Sequence, residues 1–149
     1  MRQYKTISGK SYAVHSDRCR HKIYRWEDEI VRPKDTNKIT LEDAQSIVNF
    51  IWEREGREHP PKVVTKRNGC ASATRFEIKL PENMRYTWIV IHEMSHSLTS
   101  NEDGASNGHG SWFMQVYTRL LSTYVNIPLP LLYYTANERG IKIKGLTSA

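Results

Sequence analysis

The sequence predicts an α+β fold, and three observations carry that expectation. Residues 41–55 (LEDAQSIVNFIWERE) and 110–125 repeat apolar side chains at three- and four-residue steps, the period of amphipathic helices. Between them, KVVTKR reads as a short strand, and ATRFEIKL alternates Phe76, Ile78 and Leu80 with charged residues. Asn68-Gly69 separates the two runs and is a strong hairpin-turn signal. The chain has 149 residues, the size of one compact domain with its own core.

The elements follow in order. Residues 16–31 (SDRCRHKIYRWEDEIV) form the first expected helix. Ser16 can cap it, and Cys19, Ile23, Trp26 or Glu27, and Ile30 share a face until Arg32-Pro33. In the second helix, Thr40 with Asp43 resembles a capping box, Ala44, Ile47, Val48 and Ile51 make a stripe, and Gly56 can stop it. The two strands should pair as a half-buried antiparallel hairpin. Its outer strand, Phe76 to Leu80, could be a sheet edge that receives an extended peptide. A third helix is expected over residues 84–99, entered through Pro81-Glu82-Asn83, with Trp88, Ile91, Met94 or Ser95, and Leu98 on the buried side. The helix from Gly110 to Val125 presents Trp112, Phe113, Val116, Tyr117, Leu120, Leu121 and Tyr124, and Asn126 and Pro128 end it. A short helix from Leu131 to Arg139 stops at Gly140, and Ile141 to Ile143 could add a strand.

Composition excludes some functions. Apolar residues are 38% and charged residues 26%, which suits a globular chain rather than a disordered one. The longest apolar run, around Trp88 to Ile91, is far short of the roughly 20 residues a membrane helix needs. MRQYKTISGK is followed by no apolar segment, so the expected location is cytoplasmic, with no membrane partner. Cys19 and Cys70 are not in CxxC spacing and read as free thiols. Residues 1–80 hold 17 of the 22 Lys and Arg and 11 of the 16 Asp and Glu, which accounts for the whole net charge of +6. Lys62, Lys66, Arg67, Arg75 and Lys79 surround the expected hairpin. A shared face there could contact DNA, and a solvated basic face is the plainer reading.

The chemistry lies in WIVIHEMSHSLTSNEDGASNGHGSWF, residues 88–113. A four-residue helical step puts His92 and His96 on one face, where both imidazoles can reach one ion. Zinc accepts such nitrogens in tetrahedral geometry. Glu93 sits beside them without being a ligand, the arrangement of the HExxH motif. Composition alone would produce that motif in roughly one such chain in 60, so the patterned helix around it must carry the argument. The third ligand has three candidates. Glu102 lies six residues after His96, but Thr99 stands where a sharp turn would need glycine, and Asp103 shares this problem. His109, between Gly108 and Gly110, sits where a polar loop ends and a helix begins, and glycine gives its backbone conformational freedom. His15, His21 and His59 read as surface or capping residues.

HEMSH followed by GHGSWF resembles the SprT-like (Spartan-type) metalloproteases. The matching residues are His92, Glu93, Met94 and His96, then Gly108, His109, Gly110 and Phe113, and the similarity spans about residues 40–125. The resemblance implies a zincin-like minimal metalloprotease domain over 1–149, with a small antiparallel sheet packed on the HExxH helix. It implies a zinc metallopeptidase with Zn2+ held by His92, His96 and His109 and acting on a protein or peptide substrate. In that mechanism Glu93 is the general base toward a zinc-bound water. Eukaryotic members of the family act on proteins crosslinked to DNA, and many relatives carry a zinc ribbon that two cysteines cannot build. A second electrophile could be Tyr117, Tyr124, Tyr133 or Tyr134 by residue type. The alternative is a basic nucleic-acid-binding or regulatory module whose zinc site is structural or catalytically silent. Glu93 argues against it, because a structural site needs ligands but no base.

Overall fold

The computed structural model describes residues 3–5, 11–13 and 20–146. Ser16, Cys19 and His15 lie outside them. The described chain is α+β, with five α-helices, and it divides into two compact units. One runs from Asn37 to Asn107, and the other joins the segments up to Thr36 and from Gly108 onward.

In the Asn37–Asn107 unit, helix α2 spans Leu41–Arg54. Its capping box forms as the sequence predicts: Asp43 N donates to Thr40 Oγ1 at 3.0 Å, and Thr40 N donates to Asp43 Oδ2 at 3.3 Å. Ala44, Val48, Ile51 and Trp52 are buried, while Ile47 is half-buried. Gly56 ends the helix at a φ of +72°, in the left-handed region that glycine enters without strain.

The sheet of this unit has three strands: β3 Lys62–Lys66, β4 Ser72–Ala73 and β5 Glu77–Pro81. Their order is β3-β5-β4. The expected hairpin of β3 with β5 is not formed. These two strands are parallel, with Val63 opposite Ile78 and Thr65 opposite Leu80. The antiparallel pair is β4 with β5, Ala73 facing Ile78. The hairpin turn is therefore at Thr74–Glu77, where Thr74 N donates to Glu77 O and Phe76 N to Thr74 Oγ1. Asn68-Gly69 does turn the chain, with Gly69 at φ +88°, but it leads into β4. Strand β5 is consequently central, so Phe76 to Leu80 is not the edge that could take an added strand. The open edges are β3 and β4. Ile78 and Leu80 are buried as the alternation predicts, whereas Phe76, just before the strand, is 65% exposed.

A 3-10 turn over Glu82–Met84 leads into helix α3, Thr87–Leu98. This helix packs on α2, β4 and β5. Every residue from Val90 to Leu98 is buried, while Trp88 is half-buried.

In the other unit, β1 (Gln3–Lys5) pairs antiparallel with β2 (Ser11–Ala13). Helix α1, Arg20–Trp26, runs into a π-helical turn over Glu27–Val31 and a 3-10 turn over Arg32–Lys34 that contains Pro33. One uniform helix was expected over residues 16–31. The π turn changes the face presented, so Trp26 and Glu27 are both buried. Helix α4 spans Ser111–Tyr124 and helix α5 Leu129–Glu138, and α5 packs against α1 and α4. Gly140 follows α5 at φ +69°. Ile141 to Ile143 form no strand. Ile141 N instead donates to Ala136 O and Lys144 N to Ser111 O, which ties the segment to the helices.

Candidate metal centre

Helix α3 places His92 and His96 one turn apart, with ring centroids 5.1 Å apart and both residues buried. Glu93 is buried beside them, and its Oε2 lies 3.9 Å from His92 Nε2. The helix carries unusually many buried polar groups, and local backbone satisfies several. Ser95 Oγ donates to Ile91 O, Thr99 Oγ1 to Ser95 O, and Ser97 Oγ to Thr74 O.

The loop after α3 is tied down. Asn101 N donates to Ala105 O, Gly104 N to Asn101 O, and Ala105 N to Asp103 Oδ1. Arg75 N donates to Gly104 O. Gly104 has a φ of +89°, and a Cβ there would fall 2.5 Å from the Phe76 ring. This held loop brings Ser106 Oγ to 3.2 Å from His96 Nδ1. A histidine held at one ring nitrogen presents the other to a metal. Glu102 and Asp103 are exposed, and neither joins a metal-binding group among the described residues.

His109 is 5% exposed. Gly108 before it has φ +80°, so glycine's freedom is used there. Gly110 caps α4 at φ −77°, an ordinary value, so the second glycine is not needed for backbone conformation. Aromatic rings clamp the imidazole. Tyr24 and Phe113 both meet it edge-on, at centroid distances of 5.2 and 4.9 Å.

The ligand atoms of His92, His96 and His109 all lie within 4.8 Å of one another. Three buried imidazoles this close can hold a metal ion. Imidazole nitrogen is a donor that zinc and several other transition metals accept.

The tyrosine candidates separate. Tyr117 is fully buried and donates its hydroxyl to Glu27 Oε2 at 2.6 Å, beneath Trp26 and Phe113. It is a structural residue. Tyr133 and Tyr134 line a cleft with Ile141 to Leu146. Tyr24 and Ser106, which do touch candidate ligands, escaped sequence reasoning. Tyr24 is 85 residues from His109, and no spacing rule links them. Ser106 lies in a loop rich in serine and asparagine, where residue type singles out nothing.

The basic residues around the sheet are partly committed. Arg75 donates to the carbonyls of Glu58 and His59 and stacks over Trp52 at 4.6 Å. Lys66 Nζ donates to Cys70 O, and Lys79 pairs with Glu77. Cys70 is buried. His21 and His59 are exposed. Among the described residues, no helix is long and apolar enough to cross a membrane.

The class these observations define is an α+β protein with three buried histidines close enough together to hold a metal ion. Compared with known proteins, the chain matches no family model, no curated protein and no solved structure.

Proposed function

We propose that this protein is a zinc-dependent metalloendopeptidase of SprT-like type. The observation that carries the reading is the convergence of three buried histidines with a buried carboxylate, Glu93, beside His92. Bound zinc would acidify a coordinated water and polarise the scissile carbonyl. His92, His96 and His109 would hold it, and Ser106 would fix the ring of His96. Glu93 would accept the proton of the attacking water and pass it to the leaving amine as the C–N bond breaks. Burial of these groups excludes bulk water and strengthens their electrostatic effect on the reacting atoms. An extended substrate added as a strand would pair at an open edge, β3 or β4. The purified protein should cleave an unfolded protein substrate, lose that activity to 1,10-phenanthroline and regain it with added Zn2+. Cleavage indifferent to the chelator would exclude the proposal.

A further inference from the structure

Helix α5 and the segment that follows it border a cleft of about 790 Å3, within the roughly 300–1,000 Å3 of small-ligand sites. Every residue that lines it belongs to the unit that holds α4 and α5. Tyr133, Tyr134 and Asn137 come from α5. Steps of three and four residues put Asn137 on the side of the helix that carries the two tyrosines. Tyr134 is 66% exposed, which leaves much of its ring uncovered. The rest of the lining is Ser111 and the chain from Gly140 to Leu146. There, buried Ile141 and Ile143 alternate with exposed Lys142 and Lys144. Backbone bonds hold this segment: Ile141 N donates to Ala136 O, Lys144 N to Ser111 O, and Leu146 N to Ile143 O. Among the described residues, no Asp or Glu lines the cleft, and neither lysine is paired with a carboxylate. The cleft thus offers aromatic surface, one amide and two uncompensated cations. Tyrosine rings stack on bases, and lysine is a point-charge partner for phosphate.

We propose that this cleft binds a free nucleoside phosphate, its base stacked on Tyr134 and its phosphate held by Lys142 and Lys144. Asn137, which can both donate and accept, meets an edge of the base. The small volume suits one nucleotide rather than an extended strand. None of the candidate metal ligands lines the cleft, so binding there does not depend on a bound ion.

The test is isothermal titration calorimetry of the full chain with ADP, and with pyrophosphate as the anion that lacks a base. Wild type should bind ADP at least about tenfold more tightly than pyrophosphate, the gain expected from stacking one base. Tyr134→Ala should lose about tenfold in ADP affinity and leave pyrophosphate binding unchanged. Lys142→Gln combined with Lys144→Gln should weaken both ligands by about tenfold or more. All three side chains are exposed, so the variants should keep the wild-type Tm. An ADP Kd in wild type weaker than about 1 mM would overturn the inference. So would pyrophosphate binding as tight as ADP binding, or an ADP affinity in Tyr134→Ala within about twofold of wild type, because either reduces the site to a general attraction for anions. A single-stranded oligonucleotide that displaces ADP at far lower concentration than a free nucleotide does would assign the cleft to nucleic-acid strands and also overturn it.

Discussion

Replacing Tyr117 by phenylalanine separates structure from chemistry in the residues around His109. The hydroxyl donates to Glu27 Oε2 at 2.6 Å, in the range of a bond to a carboxylate, with Tyr117 fully buried and Glu27 3% exposed. A hydrogen bond to a charged group is worth about 1.5–3 kcal/mol, and its loss here also leaves a buried oxygen poorer by one donor. The ring packing on Trp26 and Phe113 survives the substitution. For a chain of this size each kcal/mol moves Tm by about 2–4 °C, so Tyr117→Phe should melt about 3–12 °C below wild type. Differential scanning calorimetry reads the shift, and zinc content measured on the same samples should be unchanged. A variant that melts with wild type would refute the structural assignment. One that keeps its Tm and loses peptide cleavage would return Tyr117 to the list of electrophiles.

Further predictions follow from the metal site and the ion pairs. Free Zn2+ at one hundred times its Kd should stabilise wild type by about 2.7 kcal/mol, a Tm rise of about 5–11 °C. His92→Ala, His96→Ala and His109→Ala should each abolish that rise in a thermal-shift assay, while Glu102→Ala should preserve it. An unaltered response in His109→Ala would remove that residue from the site. Ser106→Ala should weaken zinc binding by about tenfold in a chelator competition, because His96 loses the partner at Nδ1. Glu29 accepts from Arg139 at 2.7 Å, and that hydrogen bond holds its carboxyl below the usual range. The stabilisation is therefore present above the ordinary glutamate range and lost as pH falls through the lowered folded value. The Tm difference between wild type and Glu29→Gln should shrink from about pH 7 to about pH 3, and a difference constant with pH would contradict the assignment.

Local signals were legible where one segment satisfies its own needs. Thr40 and Asp43 cap α2 because the box is closed within four residues. The i,i+4 step alone puts His92 and His96 on one face of α3. Pairing in the sheet was not legible. Asn68-Gly69 signals a turn but not which strand the chain enters next, and the two-residue β4 is too short to show a period. The choice of β5 as the central strand depends on burial of Ile78 and Leu80 among contacts distant in sequence. The uniform helix expected over residues 16–31 failed at Glu27, whose buried partner, Tyr117, lies 90 residues away. In the candidate site, residue type and spacing singled out His92, Glu93 and His96 and favoured His109 over Glu102, and the three histidines do lie close together. The groups that touch these histidines, Ser106 and Tyr24, come from the loop after α3 and from α1.

The most direct test of the account is zinc analysis of wild type and Glu93→Gln, paired with cleavage of an unfolded protein by both. Glu93 lies beside His92 but is not among the three candidate ligands. The account therefore predicts about one zinc per chain in each protein, with cleavage in wild type only. Cleavage retained by pure Glu93→Gln protein, or wild type that holds no zinc, would contradict it.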